Sequence, residues 1–109
     1  MNQLLFGTGG VPHGTRTGST LDGIRRIAEL GLGCMEIEFV HGVKMGEAKA
    51  QEVTKTATAK GIKLSTHAPY FMNLNAHDPE KLRASQDRLL QTARVGALCG
   101  AETVVTHTA

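Results

Sequence analysis

Three histidines follow apolar stretches in this sequence: His41 shortly after "MEIEF", His67 at the end of "IKLSTH", and His107 at the end of "TVVTH". An imidazole at the carboxyl end of a strand is well placed for chemistry, because in parallel barrels that rim is where active sites assemble. His67 and His107 end consecutive stretches of the same kind. Paired strands lie about 4.8 Å apart, so the two rings could share one metal ion or hold a pair of adjacent ions. Zinc, manganese and iron all accept imidazole. A catalytic zinc usually takes three protein ligands and keeps one position for water, so two histidines make part of a site. The plainer alternative is a pair of polar strand-end residues bonded to backbone.

Glu36 and Glu38 share one face of "MEIEF". A metal-bound water needs a carboxylate to orient it and take its proton. Glu38, nearer the rim, is the better though weak candidate for that work, and pairing of these carboxylates with Lys63 of the following strand is the competing expectation. After His67 comes "APYFMNLNAHD", in which Tyr70, Phe71 and Met72 put three large side chains into a loop. Such a run either caps the end of a barrel or projects as a wedge able to enter a DNA base stack.

The elements that must position these residues are legible from capping and periodicity. Leu21, Ile24, Ile27 and Ala28 recur at helical spacing after Ser19 or Thr20, and Gly31 follows as a left-handed stop. A second helix is expected from about Glu47 to Lys60, with Val53 and Ala57 inward and Gly61 ending it. The third has Asp78 as N-cap, Pro79 at the first helical position and Glu80 against the positive end of the dipole. Its expected buried stripe is Leu82, Leu89, Leu90, Ala93 and Ala97, with Gly100 as the stop. Strands are expected at "LLFGT" from Leu4, "MEIEF" from Met35, "IKLSTH" from Ile62 and "TVVTH" from Thr103.

Strand, loop, helix and glycine therefore recur in order, the signature of a parallel sheet with crossover helices. Met35, Ile37 and Phe39 alternate with Glu36 and Glu38, and Ile62, Leu64 and Thr66 alternate with Lys63, Ser65 and His67. A doubly wound sheet would bury both strand faces and favour continuous apolar runs. Alternation fits strands whose outer face packs on helices and whose inner face lines a polar centre. The glycine-rich "GTGGVPHGTRTGST" holds neither G-x-G-x-x-G nor a Walker lysine, which argues against a dinucleotide or P-loop fold.

Composition sets the outer limits. With 109 residues the chain has room for one small domain, residues 1–109, and 40% hydrophobic and 20% charged residues are ordinary for a globular protein. A formal charge of +2 is too small to diagnose a polyanion partner. No stretch reads as a membrane span or signal peptide, so a cytoplasmic location is expected. Cys34 and Cys99 form no Cys-x-x-Cys unit and read as small buried thiols.

"STHAPYFMNL" at Ser65 to Leu74, "DPEKLRAS" at Asp78 to Ser85 and "GAETVVTH" at Gly100 to His107 resemble the family-2 apurinic/apyrimidinic endonucleases, the endonuclease IV type. "FGTGGVP" and "MEIEFVHGV" are similar to its archaeal members. The resemblance implies a xylose-isomerase-like (β/α)₈ TIM barrel, of which this chain would be the amino-terminal half with about four parallel strands and three helices. It implies zinc as cofactor, hydrolysis of the phosphodiester 5′ to an abasic nucleotide, and double-stranded abasic DNA as partner. His67 and His107 match the first two zinc ligands, Tyr70, Phe71 and Asn73 fall where family members meet DNA, and the loop from His41 to Lys44 falls where another DNA-contacting loop lies. Thr108 and Ala109 depart from the proline and glycine that tend to follow the second histidine.

Two alternatives stand beside the nuclease: a metal-dependent sugar isomerase or epimerase of the same superfamily, and a non-catalytic half-barrel module. A half barrel leaves two strand edges unpaired, so the chain alone is expected to self-associate or to be poorly soluble, with weak and incomplete zinc binding and no activity of its own.

Overall fold

In the computed structural model, which describes residues 3–39 and 42–109, seven elements alternate in chain order. They are β1 (Gly7–Gly9), α1 (Thr20–Glu29), β2 (Cys34–Glu38), α2 (Glu47–Lys60), β3 (Lys63–His67), α3 (Pro79–Leu98) and β4 (Val104–Val105). The strands form one sheet in the order β1-β2-β3-β4, every pairing parallel. Crossovers between parallel neighbours are right-handed as a rule, which puts successive helices on one face of the sheet, and here α1 packs on α2 and α2 on α3. A doubly wound sheet reverses its strand order to place helices on both faces, and no reversal occurs here.

Each helix begins and ends for a local reason. Ser19 caps α1 by accepting from the Asp22 amide, while the Thr17 hydroxyl donates to Asp22 Oδ2 at 2.6 Å. That hydroxyl, with Arg25 beside it, holds the Asp22 carboxyl below the usual carboxylate range, so a negative charge stays at the positive end of the helix. Asp78 caps α3 through the Glu80 amide at 2.9 Å, and Pro79 supplies the preset φ of a first helical turn. Gly61 takes a left-handed conformation (φ 69°) after α2, from which its amide bonds back to the helix carbonyls.

The core lies between the helices and the apolar strand face. Ile24 and Ile27 of α1, Ala50 and Val53 of α2, Met35, Ile37 and Leu64 of the sheet, and Ile62 just before β3 form one buried cluster with Cys99. Residues 24 and 27, and 50, 53 and 57, recur every three or four positions and so project from one side of their helices. Each large side chain buried here stabilises the fold by about 1.5–3 kcal/mol. Cys99 sits against Met45 Sδ at 3.3 Å. Burial pushes its thiol up to about 11, which leaves it protonated and inert as a nucleophile. Cys34 is half-buried rather than fully enclosed.

Several expectations are corrected. Of the strand expected from Leu4 to Thr8, Leu4 to Phe6 lie outside β1 and are exposed, while Gly7 and Thr8 belong to it together with Gly9. The stripe of α3 is not the expected one: Leu90, Ala93 and Ala97 are exposed, Leu82 and Leu89 only half-buried, and the buried residues are Ser85, Thr92 and Gly96. Small residues face the sheet because the approach is close; a Cβ on Gly96 would meet Thr66 Oγ1 at 3.2 Å. Lys63 pairs with Glu102 at 3.1 Å, not with Glu36 or Glu38.

Candidate functional site

The register of the strands assembles the polar face row by row. Gly9 lies opposite Glu36 and Glu36 opposite Ser65, and one row further toward the carboxyl ends Glu38 faces His67 and His67 faces Val105. Alternation places these side chains on the face turned away from the helices. His107 falls two residues beyond Val105, past the end of β4 and again on that face. The His67 and His107 rings consequently meet, their centroids 5.2 Å apart and their planes tilted by 50°. His107 is therefore not level with His67, as the matching stretch ends imply, but one row further out.

The hydrogen bonding of His67 defines which of its nitrogens is free. Nδ1 lies 2.7 Å from the Ala68 carbonyl. A carbonyl only accepts, so Nδ1 carries the proton and donates it, leaving the Nε2 lone pair available. An imidazole whose other nitrogen is bonded to a backbone carbonyl has the arrangement that orients metal-ligating histidines. The donor chemistry of the pair thus suits a borderline-soft divalent ion such as zinc. Among the described residues no group of three His, Cys, Asp or Glu side chains is close enough to hold an ion, so the pair offers two positions of a coordination shell.

Glu38 has another surrounding. Its carboxylate leans over the glycines of the first strand, with Oε1 at 3.1 Å from where a Gly9 Cβ would stand and Oε2 at 3.3 Å from that of Gly10. The absence of side chains there makes the room it occupies. Glu38 is exposed, and Thr20, Lys44 and Met45 line the same cleft. Lys44 is exposed near the carboxyl end of β2, whereas His41 lies outside the described residues.

The loop after β3 divides its three large residues. Met72 is buried, while Tyr70 and Phe71 are 65% and 45% exposed and meet edge to face at 5.7 Å. The loop thus turns Met72 inward and leaves the aromatic pair projecting. The Asn73 amide donates to the buried Ser85 hydroxyl at 2.8 Å, the Leu74 amide to the Thr108 carbonyl at 3.0 Å, and the Asn75 amide to Asn73 Oδ1 at 2.9 Å. Asn73 is itself exposed, its side chain spent partly on this turn. Sequence reasoning missed Ser85 and Arg88, which support this loop from α3; hydropathy offers no signal for a serine that is buried to receive a loop amide.

No helix among the described residues is long and apolar enough to cross a membrane. The chain is 39% identical over 97 residues to the uncharacterised protein MJ0133 of Methanocaldococcus jannaschii, an alignment covering 89% of this chain and 34% of that protein. In fold it resembles endonuclease IV from Thermus thermophilus, with a TM-score of 0.72 at 22% identity over 91% of this chain and 39% of the other. It resembles D-psicose 3-epimerase, crystallised in the presence of D-fructose, with a TM-score of 0.69 at 20% identity over 90% of this chain and 36% of that one. The chain therefore spans between one third and two fifths of the length of these proteins. Four sequentially ordered parallel strands with helices on one face match half of such a barrel, and residues 24–109 match the family described as xylose isomerase-like TIM barrel, to which the chain belongs.

Proposed function

We propose that this chain supplies part of the site of a metal-dependent endonuclease that cuts DNA 5′ to an abasic nucleotide, with zinc as the metal. His67 and His107 would hold the metal through free imidazole nitrogens, and Tyr70, Phe71 and Asn73, together with His41 and with Lys44 near the carboxyl end of β2, would meet the DNA. A zinc ion held there supplies Lewis acidity toward water and toward the phosphodiester oxygens. The chain's own residues bind and orient: the Ala68 carbonyl fixes the His67 ring, and Glu38 is the carboxylate in register with it. Two free cysteines are in keeping with a reducing cytoplasm.

The observation that favours DNA over a small sugar is the exposure of Tyr70 and Phe71 on the loop that leaves the His67 strand. A sugar isomerase or epimerase would fold that loop over a small pocket. A duplex carrying one abasic site, incubated with a polypeptide holding this chain within a barrel of the relatives' length, is expected to be incised 5′ to the lesion, with incision lost in chelator and restored by zinc. Intact duplex together with metal-dependent interconversion of a ketose would transfer the reading to the sugar enzymes, and neither activity would leave a non-catalytic module.

A further inference from the structure

Arg88 lies one turn along α3 from Ser85, and residues three apart share a helix side. Ser85 receives the Asn73 amide, and the Arg88 guanidinium lies over the Phe71 ring, Cζ 4.9 Å from the ring centroid. Phe71 in turn receives Tyr70 edge to face. The loop has an inner row, Met72 and the Asn73 amide, fixed against the fold, and an outer row, Phe71 and Tyr70, exposed to solvent and supported from α3 by a single cation. The ion pairs formed among the described residues, Arg25 with Asp22, Arg26 with Glu29 and Lys63 with Glu102, do not include Arg88. A guanidinium held over a ring by cation–π attraction still has N–H donors along its edge for a planar oxyanion. Two exposed aromatic rings beside that edge match a nucleic-acid strand, in which a base face and a phosphate recur side by side.

We propose that Arg88 is a positioning residue of the DNA interface, which holds Phe71 in place by its cation–π contact and meets a backbone phosphate through its N–H edge. The proposal rests on the DNA reading of the site. Tyr70 is the one tyrosine of the chain and tryptophan is absent, so intrinsic fluorescence reports on this loop alone. In a titration of the chain with a duplex containing an abasic site, Tyr70 emission is expected to be quenched as bases stack on it. Arg88→Ala should lower the anisotropy of free Tyr70, weaken binding about tenfold, and flatten the slope of log K against log salt by about 0.9, the loss of one phosphate contact. Arg88→Lys should restore the salt slope without restoring the anisotropy, because an ammonium keeps the charge and loses the stack.

Wild-type binding with Arg88→Ala unchanged in anisotropy, affinity and slope would overturn the proposal and leave the DNA reading standing. Failure of the wild-type chain to bind the abasic duplex would overturn the Arg88 proposal, and failure of the barrel-length polypeptide to incise it would overturn the DNA reading. Lower anisotropy with an unchanged salt slope would reduce Arg88 to a structural support and reject the phosphate contact.

Discussion

Replacing His67 by alanine in the barrel-length protein is expected to lower metal-dependent incision by at least about a hundred-fold, the upper end of what losing even an outer-shell partner of a metal costs. His67 ends β3 in register with Glu38 on one side, and its ring meets that of His107 on the other. Without it, His107 loses the imidazole that stands beside it. The fold should tolerate the change, since His67 is half-buried and its ring makes one hydrogen bond, to the Ala68 carbonyl. Such a bond contributes about 1 kcal/mol. Activity should therefore collapse while the thermal midpoint moves only a few degrees. A loss of incision below tenfold in a folded variant would remove His67 from the site.

The second large effect is on stability. Gly7→Ala is expected to cost about 3 kcal/mol, the upper end of what forcing extra atoms into a packed site costs. A Cβ at Gly7 would stand 1.8 Å from the Cys34 carbonyl oxygen and 2.7 Å from Cys34 Sγ. The first of these is backbone and cannot turn aside, so the strands must part. With them goes the hydrogen bond from the Gly10 amide to the Glu36 carbonyl, which holds the loop under the Glu38 carboxylate. Gly18→Ala is the matched control: nothing lies within 4 Å of its Cβ position and its φ is not in the left-handed region. That variant should stay within about 0.5 kcal/mol of the parent. Denaturant unfolding of the two measures the difference, and equal midpoints would show that β1 does not depend on the close approach at Gly7.

Glycine also marks where the sequence was least legible. Alternation in β2 and β3 is strong because an apolar face meets helices and a polar face does not, so Met35, Ile37, Leu64 and His67 could be placed before the fold was seen. The helix limits followed from Ser19, Asp78, Pro79 and Gly61, whose capping chemistry is local. The start of β1 is misplaced in the sequence reading because Gly7, Thr8 and Gly9 carry no hydropathy pattern, so the apolar Leu4 to Phe6 before them draw the expected strand three residues early. The α3 stripe is misplaced for a related reason. Close packing of Gly96 on Thr66, and a loop amide delivered to Ser85, select small and polar residues for the inner side, whereas periodicity arguments search for leucine.

Within the site, the meeting of His67 and His107 was anticipated from matching strand ends, and the structure moves His107 one row outward while preserving the contact. The Lys63 alternative failed on register. Lys63 stands in the row of Cys34, one below Glu36 and Ser65, where Glu102 reaches it. Glu36 and Glu38 are consequently left to the polar face and to the glycines of the first strand.

Whether His67 and His107 act as one metal-binding pair is tested most directly by following histidine ring resonances through a zinc titration of the chain. The chain has five histidines. The expected result is that two of them respond together, with weak affinity, that the response fades at acid pH as protons displace the metal, and that His67→Ala removes the response of His107. A His107 response that persists in His67→Ala, or equal responses from His13 and His77, would contradict it.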